Sequence, residues 1–276
     1  MLGLDVLRAG ERAGHDLVGL TRAELDICDA VEVDRALARV RPDAVLNCAA
    51  WTDVDGAESH REQAHAVNAD GAGKLARAAG AAGARLAHVS TDYVFDGETP
   101  RGRDGGPRAY LESDPTGPRS VYGQTKLAGE REVLAASPSH VVARSSWLFG
   151  LGGRNFAETM LRLAGERDQV QVVVDQVGCP TWTGHLAPAL IGLLERDVAG
   201  LVHLAGSGRV SWNGFAVEVF RQAGVDCRAV PVTTAELPRP AERPAWSVLR
   251  STRPDAPALP PWREGLAAYL RSEVLR

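Results

Sequence analysis

Three features of the chain predict an α/β fold organised on a parallel sheet. Short runs rich in Val, Leu and Ala, such as those at 43–49 and 84–90, alternate with longer alanine-rich stretches of helical pattern, as in strands joined by crossover helices. The alternation is regular over the first 150 residues; beyond them strands become fewer and prolines more frequent. At 276 residues the chain can bury a large core. The expected architecture is a doubly wound parallel sheet over 1–150, with its first strand missing. A smaller substrate-binding domain over 151–276 is expected to be interleaved with it.

The opening MLGLDVLRAGERAG has a helical pattern with no strand before it, so helix is expected over 2–13 and strand over 16–20. Helix 29–40, strand 43–49, helix 61–82 and strand 84–90 follow. Gly97 to Arg119, rich in Gly, Pro and Arg, reads as a long surface loop, a feature that usually serves a site. Helix 120–136, strand 140–146, helix 153–166, strand 170–174, helix 184–196, strand 201–205 and helix 211–223 come next. Residues 231–261, with PRPAERPAW and RPDAPALPP, form a proline-punctuated excursion expected to close over something, and helix 261–274 ends the series.

Bulk properties exclude several functions. A net charge of −4 and a pI near 6.0 leave no general basic face for nucleic acid or acidic membranes. No apolar run approaches the roughly 18 to 20 residues of a membrane span, and no leader is legible, so a cytoplasmic location is expected. Cys28, Cys48, Cys179 and Cys227 are scattered without a CxxC pair and are expected as buried free thiols of a reducing compartment. Of 31 basic residues only Lys74 and Lys126 are lysine, so each position that keeps lysine invites the question why arginine would not serve.

The sharpest motif is Ser120-Val-Tyr122-Gly-Gln-Thr-Lys126. Residues four apart share a helix face, so Tyr122 and Lys126 point the same way. An ammonium beside a phenol favours phenolate, and drawing a tyrosine from about 10 towards 7 takes roughly 4 kcal/mol. The tyrosine then becomes a proton donor or acceptor at neutral pH. Arginine, with its diffuse planar charge, would serve less well as a compact point charge.

Upstream, Leu86-Ala-His-Val-Ser90-Thr91-Asp92-Tyr93-Val-Phe-Asp-Gly97 ends an apolar strand in two hydroxyl residues at the carboxyl edge of the sheet, where such folds bind ligands. Either hydroxyl could cap a turn or hold a carbonyl oxygen beside the tyrosine. Asp43 to Asp53 ends another strand in small Ala49 and Ala50, which allow a flat ligand to approach. Gly71-Ala-Gly-Lys74 lacks the rest of a phosphate loop, and His60 and His65 stand five apart with no HExxH, so no catalytic metal is expected.

Strand-end NCAA, STDYVFDG, YGQTKLAGE, ARSSWLFG with GRNF, DQVGCPTWTG and RPAWSVL stand in one order along the whole chain. In that order and spacing the sequence resembles the extended short-chain dehydrogenase/reductases, a Rossmann-like family. It resembles most closely the branch that reduces nucleotide-linked keto sugars. The resemblance implies reduction of the C4 ketone of dTDP-4-dehydro-L-rhamnose by hydride from a nicotinamide. By position it implies Tyr122 as general acid, Lys126 as its pKa tuner and ribose ligand, and Thr91 as the hydroxyl orienting the carbonyl. It further implies Asp26 and Ile27 at the adenine, Ala49, Ala50 and Thr52 along the cofactor, and Asn68 as a brace. Val54, Tyr93 and Trp147 would border the sugar. Some relatives pair, which makes a homodimer one arrangement to test.

Strand 16–20 ends Gly19-Leu20-Thr21-Arg22 without a carboxylate to hold a ribose 2′-hydroxyl. Arg22 could meet a 2′-phosphate, so the cofactor expectation is NADPH, with NADH the alternative. The family's glycine-rich turn is not legible anywhere: Met1-Leu2-Gly3 reads as its tail, with Gly3 as the last glycine at the cofactor. The expectation is that Met1 is internal to a longer working protein, about a dozen residues short of a strand and turn. Two other functions stay open: reduction of another dTDP-deoxysugar in antibiotic glycosylation, and a non-catalytic nucleotide- or partner-binding role.

Overall fold

The computed structural model describes residues 1–272. Helix α1 (Leu2–Arg12) opens the chain, followed by α2 (Ala30–Val40), β1 (Ala44–Asn47), α3 (Val54–Ser59) and α4 (Arg61–His65). A π-helical turn (Ala66–Gly71) joins α4 to α5 (Ala72–Ala81), and β2 (Arg85–Thr91) runs into a 3₁₀ turn (Asp92–Val94). Next come α6 (Val121–Ala136), β3 (Val141–Ser145), β4 (Leu148–Phe149), α7 (Phe156–Ala164), β5 (Gln169–Val173), β6 (Val177–Gly178) and β7 (Thr181–Trp182). The chain continues with α8 (Thr183–Glu195), β8 (Gly200–His203), β9 (Val210–Ser211), α9 (Trp212–Ala223), β10 (Arg228–Val232) and α10 (Trp262–Leu270). The last two positions of the expected helix 261–274 lie outside the described residues.

The main sheet has four parallel strands in the order β1-β2-β3-β8. Burial on both faces explains their continuous apolar runs. On one face, Leu2 and Val6 of α1 and Leu186, Leu190 and Leu193 of α8 pack against Val141, Ala143 and Val202. On the other, Val33 and Leu37 of α2, Leu75 and Ala79 of α5 and Val133 of α6 cover Leu86 and Val142. A second core gathers around the parallel pair β5 and β10, where Phe149, Phe215, Trp262 and Tyr269 meet residues of α7, α9 and α10. Strand β8 comes from the second half of the sequence yet completes the main sheet.

Two expectations near the start are corrected. Asp16–Leu20 is not a strand: it has no ladder partner, and an extended segment without one has unpaired backbone groups that belong in water. It is exposed and lies back along α1, with Leu17 against Gly10 and Leu7 against Gly19. Gly3 is not in a turn; it is helical within α1, and a Cβ there would meet nothing within 4 Å. The Gly97–Arg119 segment is an irregular loop whose Tyr110 bridges to Leu249. The small pairs β4/β7 and β6/β9 and strand β10 were not legible as strands, the first four being only two residues long.

Candidate active site

The carboxyl end of β2 and the first turns of α6 meet beside the loop that leaves β1. Ser120 starts α6 by accepting the Gly123 N–H on its hydroxyl at 3.2 Å, a regular N-cap. Glycine is required at 123, because a Cβ would stand 2.2 Å from the Tyr93 carbonyl oxygen. This close approach sets the Tyr122 ring edge-on to Tyr93, centroids 5.5 Å apart at 79°. Thr91 ends β2 and is buried; its hydroxyl donates to Asp92 Oδ1 at 3.1 Å and accepts the Tyr93 N–H at 3.2 Å.

Burial pushes the Tyr122 phenol up to about 12; the Thr91 hydroxyl opposes this and the Asp92 charge adds to it. The expected drop towards neutrality is therefore absent. The Lys126 ammonium is aimed into the sheet, where it donates to the Val89 carbonyl at 2.7 Å and contacts His88 Nε2 at 3.2 Å. Lys126 is almost completely buried, which lowers it to about 8. His88 is buried as well, held well below its ordinary value first by desolvation and then by Lys126, and its Nδ1 lies 3.1 Å from Asn47 Nδ2. Burial dominates both partners of this site.

One turn further along α6, Glu130 accepts from Ser90 Oγ at 2.5 Å and from Arg144 of β3 at 2.8 and 2.6 Å, an ion pair 3% and 4% exposed. Tyr122, Lys126 and Glu130 form one stripe four residues apart, and His88 and Ser90 are the strand residues it meets. That stripe and the two-residue alternation of β2 were both legible, and only its first two members were singled out.

Asn68 lies in the π-helical turn, a distortion common at functional sites. Its side chain accepts the Trp51 N–H at 2.8 Å and donates to the Trp51 carbonyl at 3.2 Å and to Thr125 Oγ1 at 3.0 Å. Asn68 thus ties the Ala49–Thr52 loop to α6. Ala49 and Thr52 are exposed, Ala50 is half-buried, and Val54 begins α3 beside them. Asp55, one residue on, accepts from Arg239 at 2.6 Å and from Arg243 and the Ala241 N–H, pinning the 231–261 excursion to α3. Those two guanidiniums and the backbone N–H hold its carboxyl well below the usual carboxylate range despite partial burial.

Trp147 is half-buried with a left-handed backbone at φ 50°, and stacks on Trp212 at 3.5 Å and 3° between planes. Gly178 makes room for it, since a Cβ there would stand 2.5 Å from the indole. Asp26 accepts the Cys28 N–H at 2.9 Å, while Ile27 is buried among residues of α2 and α5. Arg22 is an exposed turn residue. The structure thus brings Thr91, Tyr122, Lys126, Tyr93 and the 49–54 loop together; Gly3, Arg22, Asp26 and Ile27 belong to other segments.

The model of the RmlD substrate binding domain family matches residues 1–274. The chain belongs to this family. A dTDP-4-dehydrorhamnose reductase of Streptomyces griseus is 45% identical over 279 residues, covering 99% of this chain and 90% of that relative. A Streptomyces antibioticus protein named a probable dTDP-4,6-dihydroxy-2-methyloxan-3-one 4-ketoreductase is 40% identical, covering 97% and 90%. Among solved structures, the Bacillus anthracis dTDP-4-dehydrorhamnose reductase in complex with NADP superposes with a TM-score of 0.92 at 33% identity, covering 98% of this chain and 94% of that one. No helix among the described residues is long and apolar enough to cross a membrane, and no group of three or more His, Cys, Asp or Glu side chains among them could hold a metal.

Proposed function

We propose that the protein is an NADPH-dependent reductase that converts the C4 ketone of dTDP-4-dehydro-L-rhamnose to the alcohol of dTDP-L-rhamnose. The observation that carries this reading is the Thr91, Tyr122 and Lys126 arrangement in a chain 45% identical to a named dTDP-4-dehydrorhamnose reductase. The nicotinamide, when bound, supplies the hydride. The residues of this chain fit that end of the cofactor: Ala49, Ala50 and Thr52 offer a low edge, and Lys126 uses two of its three proton directions inside the protein, leaving one for a ribose hydroxyl.

Tyr122 is protonated throughout the physiological range, so it acts as a proton donor. As hydride reaches C4, the carbonyl oxygen gains charge and takes the phenolic proton. Thr91 holds the same oxygen, and Tyr93, Val54 and Trp147 border the sugar. The four free cysteines suit the reducing cytoplasm. A second reading, reduction of a different dTDP-4-keto sugar, draws on the 40% identity to the 4-ketoreductase of Streptomyces antibioticus. Incubation with NADPH and dTDP-4-dehydro-L-rhamnose should oxidise NADPH and yield dTDP-L-rhamnose. Turnover with another keto sugar and none with this one would favour the second reading; turnover with neither would overturn both.

A further inference from the structure

Asp92 follows Thr91 at the end of β2, is 2% exposed, and is not used in the reaction as described above. Its Oδ1 takes the Thr91 hydroxyl proton at 3.1 Å, and its Oδ2 has no hydrogen-bond partner among the described residues. Ser247 Oγ stands beside the carboxyl and, with Thr91, favours its charged form against the effect of burial, although neither Ser247 Oγ nor Asp92 Oδ2 completes a hydrogen bond among the described residues. The other titratable groups around it are Tyr93, Tyr122 of α6 and Cys179 of the β6–β7 connection, none of them cationic. A buried carboxylate with one oxygen unpaired and no cation beside it is costly, whereas the neutral acid is not.

A hydroxyl has one proton and two lone pairs. One lone pair of Thr91 accepts the Tyr93 N–H. If Asp92 is ionised it can only accept, so it captures the Thr91 proton. The remaining Thr91 lone pair then invites the Tyr122 proton, and the chain Tyr122 to Thr91 to Asp92 runs inward, leaving no donor for a ketone. If Asp92 is protonated, it donates to Thr91 Oγ1, which frees both the threonine and the tyrosine protons to point at the substrate. We infer that Asp92 is a positioning residue that works as a neutral acid, reversing this hydrogen-bond chain so that Thr91 and Tyr122 donate to the carbonyl oxygen.

Burial pushes Asp92 up to about 6, close to where such a switch would be felt. A substrate seated over Thr91 removes water and acts in the same direction. The inference rests on the reductase reading, and its test separates the two. Across about pH 6 to pH 8, wild-type kcat/KM should fall on the order of tenfold or more, while D92N, whose amide donates at every pH, should fall by less than about threefold. Parallel profiles would overturn the inference. Should D92N not fold, T91V serves: it cuts the chain with Asp92 intact, and its much lower rate should lose the same limb, whereas a limb like that of the wild type would overturn the inference. Infrared spectra of the wild type near pH 6 should show the carbonyl band of a protonated carboxyl that disappears towards pH 8. That band without turnover on any keto sugar would contradict the reductase reading alone; its absence would overturn the switch.

Discussion

Tyr122 keeps its proton because its ring is enclosed by Tyr93, Thr91 and the start of α6, and an enclosed phenolate is poorly solvated. The acid is therefore stored neutral, with its proton in place, and release waits for the negative charge that grows on the substrate oxygen. Y122F should lower kcat about 10²- to 10⁴-fold while NADPH affinity by fluorescence titration changes less than about twofold; a matching loss of affinity would assign Tyr122 to binding instead. Lys126 carries the opposite burden. Its value falls from 10.5 to about 8 through burial, so between those values the unfolded chain binds more protons than the folded one, and stability rises with pH across that window. Below about pH 8 the charge costs roughly 3 kcal/mol. Urea denaturation should find K126M more stable than wild type at pH 7, by about 1 to 3 kcal/mol after the lost hydrogen bonds, with the gap closing towards pH 10. A variant less stable at both pH values would contradict this.

At the scale of elements, α6 is the part that positions the chemistry, and it is fastened at three heights. Gly123 lets it approach Tyr93, Lys126 reaches into β2, and Glu130 pairs with Arg144 in β3. A fourth fastening is steric: at Gly129 a Cβ would stand 2.0 Å from the Asn68 carbonyl oxygen, so α6 and the π-helical turn touch backbone to backbone. E130A leaves the buried Arg144 guanidinium without its partner, and chemical denaturation should register a loss of about 3 to 5 kcal/mol. Replacing both by apolar residues, as in E130L/R144M, should cost clearly less; equal losses would mean the pair matters for packing alone. Eight helices were legible from apolar periodicity, whereas α3, only six residues long, was not. The extended reading of Asp16–Leu20 failed for a different reason. Alternation of side chains describes a strand that already has a neighbour, and nothing local encodes the neighbour.

Across the whole molecule, the site lies where the main sheet, α6 and the 231–261 excursion converge. Arg239 and Arg243, nearly two hundred residues from Asp55, hold the excursion against α3. Helix period joined Tyr122 to Lys126 and strand ends offered Ser90, Thr91, Ala49 and Ala50, while the choice of Thr91 and the places of Thr52 and Val54 came from the family resemblance. Of the residues that support them, Asn47, Asp55 and Arg144 follow no such regularity: their partners are distant in sequence and chosen by packing. Lys126 was legible as a lone lysine among arginines, yet its direction was not, since only the fold shows that the Val89 carbonyl claims it. The central claim is hydride delivery to the sugar carbon beside Tyr122. NADPH deuterated at the transferred position of the nicotinamide, incubated with the protein and dTDP-4-dehydro-L-rhamnose, should place deuterium at C4 of the recovered dTDP-L-rhamnose. Product with protium at C4, or no product at all, would contradict it.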